Sequence, residues 1–226
     1  MTEPQIIYEN ENFLAINKPA GMLVHPTTKN EKDTLVDWLI KKYPQIKNVG
    51  ENPNRPGIVH RLDKDTSGVM LIAKNQKFFE YLKNLFKKHL IKKTYLALVW
   101  GVPKNKSGTI NLPIGLKSGT TKRTIYSKKL QKEAQTKYQL LKIIENQNKE
   151  KLSLLEIWPL TGRTHQIRVH LKAIGHPICG DKLYGKKNDG FNQLMLHSLA
   201  IEFNLDNGKI IKIEAEPPKK LSTVLI

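Results

Sequence analysis

Apolar and polar residues follow two different rhythms along this chain, and the places where the rhythm changes mark out its elements. Short apolar runs at residues 6–8 and 13–16, separated by the polar turn Glu9-Asn10-Glu11-Asn12, predict two strands. Asn17-Lys18-Pro19-Ala20-Gly21 then breaks the pattern before Met22-Leu23-Val24. Asp33 is suited to cap a helix over residues 34–43, with Leu35, Trp38 and Leu39 on one face and Pro44 at its end. Residues 45–56, rich in asparagine with Gly50 and two prolines, read as an exposed linker within one domain. Phe78, Phe79, Leu82, Leu85 and Phe86 recur at helical spacing among lysines, which predicts a helix that packs its aromatics into a core.

From Lys93 the pattern returns to strands, at residues 95–99, 110–113, 137–143 and 151–158. The polar run from Glu145 to Glu150 makes the last two an antiparallel pair. Residues 164–173 read as a helix ended by Gly175 and Pro177. Residues 195–205 and 209–216 read as final strands joined through Asp206-Asn207-Gly208. The expected fold class is α+β, built round a large, mostly antiparallel mixed sheet with helices and loops at its flanks.

Composition narrows the function. With 226 residues, 39% of them hydrophobic, the chain can bury roughly 70% of its unfolded surface, so residues 1–226 are expected to form a single domain. Its 38 Lys+Arg against 20 Asp+Glu give a formal charge of +18, which points to a polyanionic partner, nucleic acid first, and to salt-dependent binding. The single Cys179 cannot form an internal disulfide and suits a reducing compartment. No apolar run of about 18 residues and no leader-like start occurs, so a cytoplasmic protein without membrane contact is expected.

Four segments carry candidate chemistry. His60-Arg61-Leu62-Asp63-Lys64-Asp65-Thr66-Ser67-Gly68, set between Ile58-Val59 and Val69-Met70-Leu71-Ile72, places an arginine and two carboxylates at the tip of an expected strand-loop-strand. Asp63 is there either a nucleophile or base, or a carboxylate that caps its own loop. Gly162-Arg163-Thr164-His165-Gln166-Ile167-Arg168 opens a helix whose first-turn N–H groups, with Arg163 or Arg168, suit phosphate; the alternative is a capped helix start with solvated arginines. Gly175 to Gly185 reads as a loop close to a ligand, or as a structural turn. His165, His170, His176 and Cys179 follow one another at steps of five, six and three residues, a spacing that matches no ordinary zinc site. Lys92-Lys93-Thr94-Tyr95 offers a phenol among cations, either to stack on an unstacked base or to pack on a sheet.

Together with Asn17 to Pro26, these segments resemble the bacterial RluA-type family of RNA pseudouridine synthases, in family order and over nearly the whole chain. The block His60 to Gly68 is the most specific piece. The resemblance implies the pseudouridine synthase catalytic fold with a central RNA-binding cleft, and isomerisation of uridine to pseudouridine without cofactor or metal. It matches Asp63 to the family's essential aspartate, Tyr95 to its active-site aromatic and Arg163 to the basic residue that pairs with the aspartate. Arg61 matches the arginine that helps the target nucleotide leave its stack, and Leu196 lies in a motif lining the base pocket.

Two departures are visible. Ser198 stands where alanine is usual after Leu196-His197, and Asn204-Leu205 replaces a histidine-proline pair. The chain also reaches Asn17 almost at once, which implies the short form without an N-terminal S4 RNA-binding domain. RNA contact is therefore expected from the catalytic domain, with Lys93, Lys122, Arg123 and Arg168 as candidates and residues 117–123 as a basic clamping loop or a solvated hairpin end. The expected partner is structured RNA, ribosomal RNA of the large subunit and/or transfer RNA, met by a monomer. A non-catalytic RNA-binding protein would explain the charge but not an aspartate on the RNA face, and a nuclease or base-releasing glycosidase would break the RNA or free uracil.

Overall fold

The computed structural model describes residues 2–26, 31–120, 122–205 and 207–225. Thr121 in the basic loop and Asp206 in the expected final turn lie outside the described residues. In chain order the elements are β1 (Gln5–Glu9), β2 (Phe13–Lys18), α1 (Leu35–Lys42), a 3₁₀ turn (Pro44–Asn48), β3 (Ser67–Ala73), α2 (Gln76–Lys87) and β4 (Lys92–Trp100). They continue with β5 (Ser107–Asn111), β6 (Gly115–Leu116), β7 (Arg123–Thr124), β8 (Gln135–Glu145) and β9 (Lys151–Pro159). The last are α3 (Gln166–Ala173), β10 (Leu196–Asn204), β11 (Ile210–Glu214) and α4 (Lys219–Leu225). The expected α+β class with mostly antiparallel strands is the one observed.

The chain divides into two compact units, residues 1–92 with 198–216 and residues 93–197 with 217–226. In the first, β1, β2, β3 and β10 follow one another as neighbours and β11 pairs with β10. All seven residues of β3 are buried, as an apolar strand covered on both faces must be. Helix α2 covers one face because Phe78, Leu82 and Leu85 fall on one side of it. Phe78 stacks on Phe13 at 5.0 Å, and the same core takes in Val69, Leu71 and Phe203. Asn75 accepts from Phe78 N–H at 2.9 Å and starts that helix.

In the second unit the order is β4-β9-β8-β5, with β6 and β7 as a separate two-stranded ribbon. Its core joins Val99, Leu155 and Ile157 of the sheet to Ile167 and Leu171 of α3 and to Ile178 and Leu194 of the loops beyond. The turn from Asn146 to Glu150 closes the β8–β9 hairpin where the polar run placed it, with Glu145 opposite Lys151.

Several expectations change in detail. The cap of α1 is Thr34, not Asp33: Thr34 and Asp37 form a reciprocal capping box, while Asp33 has a φ of +58°. The linker is not wholly exposed, since Ile46 in the 3₁₀ turn is fully buried. The strand expected before the Asp63 loop shrinks to one bridge, Ile58 to Ile72. Helix α4, after Pro217-Pro218, carries no clear sequence signal because prolines and lysines obscure its short apolar face.

Gly68 makes a close approach between two strands possible. A Cβ built on it would stand 2.2 Å from the Ser198 carbonyl oxygen, and its φ is +116°. The backbones of β3 and β10 therefore come nearer to each other than any side chain permits. Gly68→Ala is expected to lower the unfolding free energy by about 3 kcal/mol in urea titration, the sum of an unfavourable φ and an enforced clash. Gly21→Ala, at φ +86° with open space around it, is expected to cost only about 1 kcal/mol.

Candidate active site

The loop that carries Asp63 is built around a lysine. Lys18 ends β2 with its side chain fully buried. Its Nζ donates to the carbonyls of Pro19 (2.8 Å), Met22 (2.9 Å) and Lys64 (3.0 Å). The Lys64 carbonyl also accepts from Gly21 N–H at 2.9 Å, and Thr66 N–H donates to the Asp63 carbonyl at 3.2 Å. Asp63 thus sits at the start of a turn whose backbone oxygens are tied from two directions, with Leu62 and Thr66 buried on either side. Burial pulls the pKa of the Lys18 ammonium down to about 7, against the opposing pull of Asp65 and Asp63.

His60 fixes the entry to the loop. Its Nε2 accepts from Leu71 N–H at 2.9 Å, and its ring stacks on Phe86 at 4.6 Å. His25 steadies Arg61: Nδ1 donates to the Pro26 carbonyl at 3.0 Å, which leaves Nε2 to accept from Arg61 Nη1 at 3.3 Å. Burial, helped by Arg55 and Arg61, holds the His25 ring below the usual histidine range, so the neutral form that this pairing needs is favoured. Arg61 is itself exposed.

In the second unit the polar framework is a glutamine. Gln166, buried at the start of α3, accepts through Oε1 from Thr161 Oγ1 (2.7 Å) and Arg163 N–H (2.9 Å). It donates through Nε2 to the Gln135 carbonyl (2.9 Å) and Thr136 Oγ1 (3.0 Å). The amide is satisfied on both ends and locks the turn that presents Arg163, whose Nε donates to the Glu133 carbonyl at 2.9 Å. His165 follows in the left-handed region, at φ +56°, a conformation that local bonding must hold in place. Of the N–H groups near the expected phosphate cradle, those of Arg163 and Gln166 are taken up inside the turn.

Tyr95 is half-buried on β4 opposite Ile157, against the edge of the second unit's core. The pKa of Lys93, two residues earlier, is pulled down to about 8 by burial. Lys122 is exposed, Arg123 is half-buried, and Leu196 is buried in the core of the second unit.

Arg168 departs from its expected place on the RNA surface. It is 4% exposed, and its Nε and Nη2 each donate to Asp181 at 2.8 Å. Burial pushes the Asp181 carboxyl up, but Arg168 and the N–H groups of Leu183 and Tyr184 outweigh it and hold the carboxyl below its ordinary value. That guanidinium ties α3 to the loop at Gly180. Among the described residues no group of histidine, cysteine and acidic side chains could hold a metal. His170, one of the histidines considered for zinc, uses Nε2 on the Leu112 carbonyl (2.8 Å) and Nδ1 on Thr136 Oγ1 (2.9 Å).

A basic α+β chain that holds an aspartate and an arginine on separately braced turns defines a class of protein suited to carboxylate chemistry on a polyanion. The family model for RNA pseudouridylate synthase matches residues 12–173, and the chain belongs to that family. It is 40% identical over 218 residues to the Borreliella burgdorferi ribosomal large subunit pseudouridine synthase D, covering 95% of this chain and 65% of that protein. It is 36% identical to the Vibrio vulnificus dual-specificity RNA pseudouridine synthase RluA, covering 89% of this chain and 79% of that protein. Human RNA pseudouridylate synthase domain containing 1 superposes with a TM-score of 0.79 at 27% identity, covering 98% of this chain and 87% of the other. The chain spans 65%, 68% and 61% of the length of three of the curated relatives it matches.

Lys18 gives a direct test of the loop's construction. Lys18→Met leaves the Pro19 and Met22 carbonyls without that donor and is expected to lower the unfolding free energy by roughly 3 kcal/mol. Between pH 7 and about 10.5 the unfolded chain holds a proton at this lysine that the native protein does not, so the site's contribution to stability rises with pH across that window. The gap between wild type and Lys18→Met, followed by urea unfolding from pH 7 to 9, should therefore widen with pH by up to about 1.4 kcal/mol per unit. A constant gap would show that the lysine stays fully charged in the fold.

Proposed function

We propose that this chain converts specific uridines in structured RNA to pseudouridine, with Asp63 as the carboxylate that starts the reaction. The observation that carries the reading is the placement of Asp63 on a turn pinned through the Lys64 carbonyl by Lys18 and Gly21, inside the family-matched segment. A rigid carboxylate in a chain of charge +18 has no value for binding phosphate, but it has a use in chemistry.

The reaction breaks the bond from ribose C1′ to uracil N1 and forms one from C1′ to C5. N1 gains a proton and C5 loses one, so the product is an isomer and no redox partner is needed. Asp63 either attacks covalently or removes a ribose proton to begin it. Arg163 is assigned to pair with that carboxylate, as the family resemblance implies, and Tyr95 to stack on the uracil once it leaves the helix. Flipping costs a few kcal/mol, least in a loop or irregular stem, which favours structured RNA with unpaired uridines. Arg61, held by His25, is assigned to help the target nucleotide leave its stack.

The name of the Borreliella burgdorferi relative makes large-subunit ribosomal RNA the first substrate to test; transfer RNA, the other class expected from the sequence, comes second. In this reading residues 1–226 act as one catalytic domain, a cytoplasmic monomer that needs no cofactor. No helix among the described residues is long and apolar enough to cross a membrane.

Mass-resolved mapping of pseudouridine in total RNA from a strain lacking the gene, complemented with wild type or Asp63→Asn, tests this. One or more sites should vanish and return only with the wild type, with Asp63→Asn at least about 10⁴-fold slower on the purified RNA. Restoration by Asp63→Asn would remove Asp63 from the chemistry. An unchanged map, together with inactivity of the purified protein, would leave an RNA-binding role.

A further inference from the structure

Residues 115–132 contain six lysines and arginines and no acidic residue, and they surround a tyrosine that the reaction does not use. Tyr126 follows the β6–β7 ribbon and is 88% exposed. A phenol left so fully in water gains nothing for the fold, because burial of its ring is where an aromatic stabilises a core.

The loop beneath it is nonetheless tightly built. Ser127 Oγ donates to the Leu116 carbonyl at 2.7 Å, Leu116 N–H donates to the Lys129 carbonyl at 2.8 Å, and Tyr126 N–H donates to Thr124 Oγ1 at 3.3 Å. Gly115 lets the chain close on itself: a Cβ there would stand 2.1 Å from the Ser127 carbonyl oxygen. The ring is therefore offered on a stiff base, flanked by exposed Lys122, Lys128 and Lys129.

This hairpin is also anchored to the turn that presents Arg163. The Tyr184 hydroxyl accepts from Arg123 N–H at 2.8 Å and lies 2.9 Å from His165 Nδ1, two residues beyond Arg163. Tyr184 is held in turn by the Asp181 carboxylate on its own N–H (3.0 Å), and its ring lies under the Arg168 guanidinium at 5.2 Å. One hydroxyl thus joins the basic ribbon to the arginine turn, so RNA seated on the ribbon is placed with respect to Arg163 without adjustment of either.

We infer that Tyr126 is a stacking platform for an unpaired base of the substrate RNA, with Lys128 and Lys129 on the neighbouring phosphates. The inference rests on the reading of the chain as an RNA-modifying enzyme, and it adds a second aromatic that selects RNA with a splayed nucleotide near the target. Stacking tolerates any base and is nearly independent of salt, whereas lysine–phosphate pairing weakens as salt rises. The two contributions are separable for that reason.

The test uses the full chain carrying Asp63→Asn and two RNA probes, a stem-loop with a single-stranded, uridine-containing loop and the same sequence fully paired. Adding Tyr126→Ala should weaken stem-loop binding about 5- to 150-fold, with melting temperature and salt slope unchanged. Tyr126→Phe should bind as the parent does, and the duplex should not distinguish the three. Lys128→Gln with Lys129→Gln should weaken both probes and flatten the slope of log K against log salt by about 0.7–0.9 for each phosphate no longer neutralised. Equal effects of Tyr126→Ala on both probes, no effect on either, or a Phe variant as weak as Ala would each overturn the stacking role. The complementation map scores pseudouridine formation separately, so failure of the isomerase reading leaves these binding ratios readable.

Discussion

The loop chemistry of this protein depends on one buried lysine. Lys18 brings its amine into an apolar unit, where desolvation opposes the charge, and carbonyls of Pro19, Met22 and Lys64 accept its hydrogen bonds. The longest of these reaches spans 46 residues of sequence, so a single side chain sets the distance between the end of β2 and the loop after Leu62. The close approach of Gly68 to Ser198 anchors the other end of that loop. With both ends fixed, the loop keeps its shape without support from the RNA, and the cost of ordering it falls on folding.

The second unit repeats the device with a neutral group. Gln166 makes four bonds where Lys18 makes three, and the turn it closes presents Arg163 as the other presents Asp63. The difference follows from what each turn carries. The attraction of Asp65 and Asp63 offsets part of the cost of burying the Lys18 charge. A cation beneath Arg163 would repel it, so an uncharged amide serves there.

Periodicity and punctuation announce part of this architecture in advance. Aromatics at helical spacing locate α2, and polar runs locate the β1–β2 and β8–β9 turns. The motif around Asp63 is legible because it concentrates polar residues between apolar strands. What is not legible lies in side chains whose type suggests the surface. Lys18 reads as solvent-facing until its carbonyl partners are seen, and Arg168 reads as a phosphate donor because a helix start with two arginines suggests one. Six consecutive residues of α3, Gln166 to Leu171, are buried in the fold, and an arginine inside so buried a helix needs a carboxylate, which Asp181 supplies. The Thr34 cap is hidden by Asp33, since neighbouring residues with similar capping ability cannot be ranked without backbone angles.

Charge and rigidity divide the work between attraction and chemistry. The excess of lysine and arginine draws in any polyanion, and long-range attraction of that kind does not choose among sequences. An aspartate within the same field is repelled by phosphate, so RNA cannot be relied on to hold it in position, and the protein must do so with its own backbone. The braced Asp63 turn meets that need, and the neutral His25 beside Arg61 meets a related one, since a charged ring would push the guanidinium away. On the proposed function, selectivity comes from shape: from which nucleotide can leave its stack, and which unpaired base finds an aromatic face already in place. A rigid exposed ring such as Tyr126 contributes to the second choice without adding to the charge, which is why it can discriminate where more lysines would only bind.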